Sequence, residues 1–444
     1  MGKNQRRMGR TMNRYAQMLS QFKTPEVMKQ LTYLYGQRDG MLVAQTTRYS
    51  QLLKRHEELI GNPEGVRLIS APGRTEIGGN HTDHNRGKVL AAAVNLDTVA
   101  AINPRNDNTV NIHSEGYAPM SISLDDLSVR EEEKGTTAAL VRGVAAGMKA
   151  DGLAIGGFDA VMTSNVRSGS GLSSSAAVEV LIGAIFDELY NGGDKLTAKR
   201  RAQISQYAEN VYFGKPCGLM DQMASSVGGL TYIDFQEDNP EVRAIQYDFA
   251  AKGYALVVVN TGGSHDDLTE DYAAVPAEMR AVASFFGEDS LRRVLPETFM
   301  KNIPQLRKAL KIPHADRAIM RAGHYFAENR RVTEQVDALK NDDLQAFFQL
   351  IIASGRSSYC YLQNIFASPA REELALGLML GEQKLTGIGA WRVHGGGFAG
   401  TTLNFVPQKR LESFVRDMET VFGVDSCNVL DIRPIGPACI RLGE

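Results

Sequence analysis

The chain has 444 residues, of which 43% are hydrophobic and 23% charged, a composition typical of globular proteins. Its formal net charge of −2 gives no overall attraction to nucleic acid or to an anionic membrane, and no apolar run is long enough to span a bilayer. We therefore expect a protein of about two domains whose partners are small molecules, with no nucleic acid and no membrane among them.

The cysteines and histidines show no metal-binding or redox pattern. The four cysteines, Cys217, Cys360, Cys427 and Cys439, are widely separated, and the eight histidines form no cluster typical of zinc sites. Free thiols are the expected state in a reducing compartment, and residues 1–30 contain no apolar signal segment. The sequence thus predicts a cytoplasmic protein, either a monomer or a weak homo-oligomer.

The N-terminal part of the chain is basic and then helical. Residues 1–14 carry five basic side chains and no acidic one, which fits a solvated tail or, alternatively, an arm that binds nucleic acid or a transit receptor. Thr24-Pro25-Glu26 has the cap, proline and acid of a helix start, and Gly36 ends that helix. A second helix is predicted over 48–60, with His56 as a packing residue.

From residue 66 onward the pattern predicts an α+β fold without the regular alternation of a doubly wound sheet. The predicted strands are 66–70, 99–102, 110–113, 120–124, 158–166, 230–235, 254–260 and 438–442. The predicted helices are 136–149, 174–190 and 197–212, followed by a mostly helical region from about 264 to 381 and a return to β structure over 387–407. The polar segment 236–240 contains a proline and suggests a domain boundary.

A polar segment, Ala71 to Asn85, directly follows the first predicted strand. Its Arg74, His81 and Asp83 side chains suit a polyhydroxylated ligand, because a carboxylate accepts hydrogen bonds from vicinal hydroxyls and an imidazole donates or accepts. A surface turn is the simpler alternative. The His-x-Asp-His spacing also suggests a metal, but zinc needs three or four ligands with a supporting shell.

A glycine- and serine-rich turn opens the predicted helix at 174. Residues 167–177 read Arg-Ser-Gly-Ser-Gly-Leu-Ser-Ser-Ser-Ala-Ala, in which the glycines permit close backbone approach to a ligand. Free N–H groups and the positive end of the helix dipole favour an anion there, as in a nucleotide phosphate site. An ordinary serine-capped turn is the alternative. The turn is not a Walker motif, since no Gly-Lys-Ser/Thr follows.

Two further segments combine glycines with reactive or polar side chains. In Phe213 to Gln222, Asp221 lies in an apolar, glycine-flanked stretch after a helix, as either a helix cap or a working carboxylate. The segment His394 to Thr401 is a glycine-rich turn before a strand. Each of these two segments alone is weak evidence for a functional site.

Together the four segments resemble those of the GHMP small-molecule kinases and, among them, the galactokinases. The first motif of that family runs Gly-Arg-Val-Asn-Leu-Ile-Gly-Glu-His-Thr-Asp-Tyr-Asn and aligns without a gap with Gly73 to Asn85. The family's Gly-x-Gly-Leu-Ser-Ser-Ser-Ala-Ala aligns with Gly169 to Ala177, its Cys-Gly-x-Met-Asp-Gln with Cys217 to Gln222, and its closing glycine motif with Gly395 to Gly400. The resemblance begins near Arg48.

The resemblance implies a ribosomal-S5-like N-terminal domain over 48–238 and a ferredoxin-like C-terminal domain over 239–444, preceded by an extension at 1–47. It implies that the chain uses ATP with Mg²⁺ to phosphorylate the anomeric hydroxyl of galactose or a close relative. By the family pattern Ser174 and Glu209 hold Mg²⁺. The ATP phosphates are expected to contact Gly169, Ser170, Gly171, Leu172, Ser173, Ser174 and Ser175.

The resemblance also assigns roles at the sugar. Asp221 faces the anomeric hydroxyl, and Arg74 keeps Asp221 ionised and offsets charge on the moving phosphoryl group. The expected sugar contacts are Asn80, His81, Asp83, Gly218 and Tyr272. Because Arg74 and Asp221 are both present, an enzyme is favoured over a catalytically silent sugar sensor.

Three departures from the family pattern bear on the substrate. Asn80 stands where the family has Glu, His84 where it has Tyr, and Arg167 where it has Pro. The family's Glu accepts from the hydroxymethyl end of the sugar, so its replacement by an amide removes a negative charge there. A sugar altered at C6, such as galacturonate, is therefore an alternative substrate on sequence grounds.

Overall fold

A computed structural model describes residues 14–38, 40–166, 171–262, 268–365, 370–398 and 400–443. The predicted phosphate contacts Gly169 and Ser170, the departure at Arg167 and most of the basic segment 1–14 lie outside these residues. None of the helices within the described ranges is long and apolar enough to cross a membrane.

The first sheet carries one side of the site described below. Its strands run in the order β12-β1-β2-β5-β3-β4. Strand β6 pairs with the first part of β2, and β7 pairs with β6. The bounds are β1 Arg67–Gly78, β2 Lys88–Pro104, β3 Thr109–Ser114, β4 Met120–Ser123, β5 Phe158–Ser164, β6 Leu230–Asp234, β7 Glu241–Ile245 and, from near the C-terminus, β12 Ala438–Ile440. The β3–β5 pair is parallel and the other pairs are antiparallel.

Helices cover both faces of this sheet, so β1 and β2 are apolar on both sides. On one face, Ile69 and Ala100 pack with Val180 of a helix that begins at Ser174. On the other, Leu68 and Val99 pack with the helices that precede the sheet in the chain. The segment before residue 48, whose role was not evident from the sequence, is thus part of the N-terminal core.

Before residue 230 the structure contains each predicted helix and one further helix, over 220–227, that was not predicted. Their bounds are α1 Pro25–Tyr35, α2 Met41–Leu59, α3 Thr137–Ala150, α4 Ser174–Tyr190, α5 Ala198–Tyr207 and α6 Met220–Val227. Helix α2 begins seven residues earlier than predicted, and α5 passes into a π-helical turn, Ala208–Phe213. His56 is fully buried and its Nδ1 atom lies 2.8 Å from the hydroxyl of Tyr15, in accord with a packing role.

The second sheet belongs to the C-terminal part of the chain. It is antiparallel, with the order β11-β8-β10-β9, where β8 is Tyr254–Gly262, β9 Ala390–His394, β10 Gly400–Pro407 and β11 Cys427–Leu430. The remaining helices are α7 Thr269–Phe285, α8 Pro296–Lys301, α9 Ile303–Ala309, α10 Ala315–Lys340, α11 Leu344–Ser357, α12 Glu373–Leu385 and α13 Leu411–Phe422. A shared apolar core joins this sheet to β2, β6, α10 and α11.

The strand pairing differs from a clean division at residue 239. Strand β7 pairs with β6, and β12 pairs with β1, so two segments beyond residue 239 complete the first sheet. The physical reason is that the edge of β1 needs a hydrogen-bonding partner, which the end of the chain supplies. The second sheet and the helices between its strands lie within roughly residues 246–430 of the chain.

Candidate active site

The predicted catalytic pair meets in the structure. Arg74 lies in the second half of β1 and Asp221 in the first turn of α6. The Nε and Nη2 atoms of Arg74 donate to the two carboxylate oxygens of Asp221, each at 2.7 Å. The third guanidinium nitrogen, Nη1, donates to the carbonyl oxygen of Gly171. This two-bonded geometry orients both side chains as a unit beside the glycine turn.

The Asp221 carboxylate is ionised at neutral pH. Burial raises its pKa, but the guanidinium of Arg74 and a hydrogen bond from Ser173 lower it further, and the net pKa lies below the ordinary value. Asp221 keeps 31% of its side chain exposed, whereas Arg74 keeps 9%. The carboxylate is thus accessible to a ligand hydroxyl while the guanidinium holds it in place.

The described part of the glycine turn has the backbone of a close-approach loop. Gly171 has φ of 74°, and a Cβ there would lie 2.8 Å from Thr401 Oγ1 and 3.0 Å from His394 Nδ1. Ser173 has φ of 57°, and its hydroxyl donates to Asp221. Helix α4 begins at the next residue, and no described side chain caps its free N–H groups. These N–H groups suit an anion beside the catalytic pair.

Glu209 lies under the same turn. It sits in the π-helical segment after α5 with 4% of its side chain exposed. Its Oε1 atom accepts from Ser175 Oγ at 3.0 Å, and its Oε2 atom accepts from Gln222 Nε2 at 2.6 Å. Because Gln222 directly follows Asp221, the same helix turn carries the catalytic carboxylate and holds Glu209.

The oxygen atoms around Glu209 fit a hard cation. Ser174 Oγ, predicted with Glu209 as a Mg²⁺ ligand, makes no hydrogen bond with a described residue, whereas the Ser175 hydroxyl is already bonded to Glu209. Within the described ranges, no three His, Cys, Asp or Glu side chains are grouped to hold a metal by themselves, including those of segment 81–84. These residues therefore suit Mg²⁺, which takes many ligands from phosphate and water.

The side chains of His81 and Tyr272 lie together against the turn after β9. Their ring centroids are 6.2 Å apart, and each bonds a backbone carbonyl of the turn after β9: His81 Nε2 that of Gly396 at 2.8 Å, and Tyr272 that of Gly397 at 2.9 Å. Burial lowers the pKa of His81 to about 4, an effect that the Gly396 carbonyl partly opposes. Since a carbonyl only accepts, Nε2 carries the proton, and the unprotonated Nδ1 is a hydrogen-bond acceptor that suits a hydroxyl.

Asp83 lies two residues after His81, against the loop that leads to Asp221. It begins a 3₁₀ turn, Asp83–Asn85, and 16% of its side chain is exposed. A Cβ on Gly218 would lie only 2.4 Å from Asp83 Oδ2. The glycine therefore lets the carboxylate lie against the backbone of the loop that leads to Asp221. His84 Nε2 lies 3.8 Å from Asp83 Oδ1.

Asn80 differs from its predicted role as a sugar contact. Its side chain is fully buried, and Nδ2 donates to the Gly395 carbonyl at 2.7 Å and to Glu76 Oε1 at 3.1 Å. Its Oδ1 atom accepts from Ser358 Oγ at 3.1 Å and from Asn364 Nδ2 at 2.8 Å. Both donors and both lone pairs of the amide are therefore used within the protein. Asn80 connects β1 to the C-terminal domain and has no group left for a ligand.

Three charged side chains around the site were not predicted. Glu76 accepts from Arg392 Nη2 at 2.7 Å, and Arg392 is fully buried. Glu328 Oε1 accepts from the Gly79 N–H at 3.0 Å and thereby holds the turn that precedes His81. Glu76 falls inside the first motif, where its difference from the family's Asn is a visible signal. Arg392 and Glu328 lie on distant elements, and no local pattern marks them.

Two family models match the segments that build this site. The galactokinase galactose-binding signature matches residues 54–104, and the N-terminal domain of the GHMP kinases matches residues 139–229. The chain is also 32% identical over 375 residues to the galactokinase of Streptomyces coelicolor, an alignment that covers 83% of this chain and 92% of that protein. The chain belongs to the galactokinase family. The predicted family is thereby confirmed.

Solved structures show that the galactokinase family fold extends over most of the chain. The Lactococcus lactis galactokinase in complex with galactose superposes with a TM-score of 0.76 at 24% identity, covering 88% of this chain and 99% of that one. The Methanococcus jannaschii mevalonate kinase superposes with a TM-score of 0.60 at 14% identity, covering 83% and 99%. The predicted α+β fold of the GHMP kinases is confirmed.

Proposed function

We propose that this galactokinase-family chain transfers the γ-phosphoryl group of ATP to the anomeric hydroxyl of galactose, giving galactose 1-phosphate and ADP. Membership of the galactokinase family supports the reaction. The Arg74–Asp221 pair beside Gly171 is the observation that supports it most directly, because an anion-binding turn and an ionised carboxylate converge there. A silent sugar sensor has no need of this pair, so the enzyme is favoured.

The reaction follows from the positions of these side chains. Asp221 accepts a hydrogen bond from the anomeric hydroxyl and aligns its oxygen with the terminal phosphorus. Because its pKa is low, Asp221 is a weak base that takes the proton late, as the new O–P bond forms. This suits a loose transition state, in which positioning and charge neutralisation supply most of the catalysis. Arg74 fixes the carboxylate and brings positive charge to the phosphate end of the cleft.

Mg²⁺ is proposed to bind at Glu209 and Ser174, with Ser175 and Gln222 orienting the Glu209 carboxylate. When bound, the ion neutralises charge on the ATP phosphates. The remaining proposed ligand contacts are those predicted from the sequence. They are the described loop residues Gly171 to Ser175 at the phosphates, and His81, Asp83, Gly218 and Tyr272 at the sugar.

ADP release tests this function. With ATP and Mg²⁺, the purified chain is expected to release ADP with galactose far faster than with glucose or galacturonate, and phosphorus NMR should identify an anomeric phosphate. Galactose binding without ADP release would instead favour the sensor. Turnover of galacturonate above that of galactose would overturn the assignment of the sugar.

Removal of the Asp83 carboxylate should weaken sugar binding more than catalysis. For Asp83→Ala we expect the galactose KM to rise about tenfold to hundredfold, as for the loss of hydrogen bonds to a charged acceptor. The KM for ATP should stay within about threefold, since Asp83 is proposed to contact the sugar and not the phosphates. Asp238→Ala, at a carboxylate that is 92% exposed, is the matched control. An unchanged galactose KM would remove Asp83 from the sugar site.

The Mg²⁺ proposal predicts a specific defect at Glu209. Glu209→Gln should raise the Mg²⁺ concentration for half-maximal activity by at least about tenfold, because an amide is a poorer ligand than a carboxylate. Ser174→Ala should act in the same direction, and Glu131→Gln, at an 80% exposed side chain, should not. A wild-type Mg²⁺ titration for Glu209→Gln would contradict this assignment.

The cellular setting is proposed from the chemistry of the chain. We propose a cytoplasmic enzyme that acts as a monomer or weak homo-oligomer, with sugar and ATP as its partners. All four cysteines are free, as expected in a reducing compartment. Gel filtration coupled to light scattering measures the oligomeric state directly.

A further inference from the structure

Glu76 shares a strand face with the catalytic arginine. Residues 74 to 76 of β1 pair in regular register with β2, so the Arg74 and Glu76 side chains point to the same side of the sheet, about 7 Å apart along the strand. Burial and then the negative charge of Glu76 raise the pKa of Tyr272 to about 12. A ligand that extends from Asp221 along β1 therefore arrives at Glu76.

The Glu76 carboxylate is held through one oxygen and open at the other. Its Oε1 atom accepts from Arg392 at 2.7 Å and from Asn80 at 3.1 Å. Among the described residues, no group donates to Oε2. The side chain is 5% exposed, and Oε2 is the oxygen that its described partners leave unused.

Arg392 is the counter-charge of the Glu76 carboxylate. Burial raises the pKa of Glu76 above its ordinary value, and the positive charge of Arg392 offsets part of that effect. The Arg392 side chain is fully buried, and Glu76 is its ion-pair partner among the described residues. A neutral Glu76 would leave a buried guanidinium uncompensated, which is strongly unfavourable. The open oxygen is therefore a charged acceptor, well suited to a sugar hydroxyl.

The first motif shows where this carboxylate comes from. The family pattern has Asn at position 76 and Glu at position 80, whereas this chain has Glu76 and Asn80. The two side chains are hydrogen-bonded to each other, so the carboxylate and the amide have exchanged places within one contacting pair. The pair therefore carries one negative charge, as in the family pattern, but at position 76 on the strand instead of position 80.

We propose, on the basis of the galactose 1-kinase function above, that Glu76 Oε2 accepts a hydrogen bond from a galactose hydroxyl at the end of the ring away from the anomeric carbon, and that Asn80 positions Glu76. The hydroxyl is that of C4 or of C6. Because a negative charge remains at this end, a uronate is repelled. The exchange therefore preserves galactose selectivity, contrary to what Asn80 alone suggests.

Deoxy sugars test the contact directly. Glu76→Gln keeps an oxygen for Arg392 and Asn80 but loses the charged acceptor. We expect its galactose KM to rise about tenfold to hundredfold with the KM for ATP unchanged. On the deoxy sugar that lacks the contacted hydroxyl, either 4-deoxygalactose or 6-deoxygalactose, the wild type and Glu76→Gln should show kcat/KM values within about threefold of each other. The sugar on which the two proteins agree identifies the contacted hydroxyl. Equal losses on galactose and both deoxy sugars would overturn the proposal.

A rescue experiment separates a sugar contact from a folding defect. Glu76→Asn should lose galactose affinity, and addition of Asn80→Glu should restore most of it, because the double variant returns a carboxylate to the pair. Circular dichroism and the KM for ATP report folding of each variant. Failure of the second substitution to restore any affinity in a folded protein would contradict the exchange. Failure of the wild type to phosphorylate galactose would instead contradict the proposed function, whatever the result at Glu76.

Discussion

Asp221→Asn is expected to lower kcat about 10²–10⁴-fold, the range for loss of a positioned general base. An amide does not take the proton of the anomeric hydroxyl. It also presents an N–H group to the Arg74 fork, which breaks one of the two 2.7 Å bonds. ATP binding should be nearly intact, since the glycine turn is unaltered. Steady-state kinetics with galactose, together with calorimetric titration of ATP, measures both quantities.

Asp238→Asn is the matched control for this variant, because it makes the same chemical change at a carboxylate that is 92% exposed. It should retain wild-type kcat. Near-normal turnover of Asp221→Asn would show that another group aligns the hydroxyl. A loss of ATP binding together with kcat would indicate instead that the substitution disturbs the glycine turn.

Arg74→Gln is expected to lower kcat about 10²–10³-fold, as for loss of one group that stabilises transition-state charge. It should also move the acidic limb of the pH profile. Asp221 must be ionised to act, and burial raises its pKa while Arg74 lowers it. Without the guanidinium the pKa of Asp221 rises, so activity should fall at a higher pH than in the wild type. The pH dependence of kcat/KM measures this shift.

Arg74→Lys separates charge from geometry. Lysine keeps the positive charge but replaces the planar fork by a single ammonium group. Its acidic limb should therefore stay closer to that of the wild type, although kcat falls because the carboxylate is held less firmly. If Arg74→Gln and the wild type lost activity at the same acidic pH, Arg74 would not control the ionisation of Asp221.

Local sequence patterns predicted much of the secondary structure. Helix α4 has the predicted bounds, Ser174–Tyr190, because a run of good helix formers begins directly after a serine-rich turn. The first half of β2, residues 88–94, was missed. It is Ala-rich and buried on both faces, so it shows no alternation that would distinguish a strand from a helix. Strands β7 and β11 were also missed, being short and partly exposed.

The site residues, like the secondary structure, were predicted only in part. The motifs identified Arg74 and Asp221 because each lies in a compact segment of glycines and polar residues, whereas Glu209 was assigned only from the family pattern. Hydrogen bonds of Arg74 with Asp221, and of Glu209 with Ser175 and Gln222, connect the three in the structure. Ser175 was predicted at the phosphates, and the structure adds its bond to Glu209. Asn80 was predicted as a sugar contact, but its four partners come from three separate regions of the chain, which no local pattern reveals.

The amino-acid sequence by itself determined the family, the fold class and the chemistry of the cleft, because these depend on short motifs whose residue types and order are readable along the chain. Tertiary structure alone decided which polar groups remain available to a ligand. Availability depends on partners from other parts of the fold, as where Arg392, far away in the chain, shares one oxygen of Glu76 with Asn80 and no described group donates to the other. A hydrogen-bonding group is free for a substrate only after the fold has satisfied its other donors and acceptors.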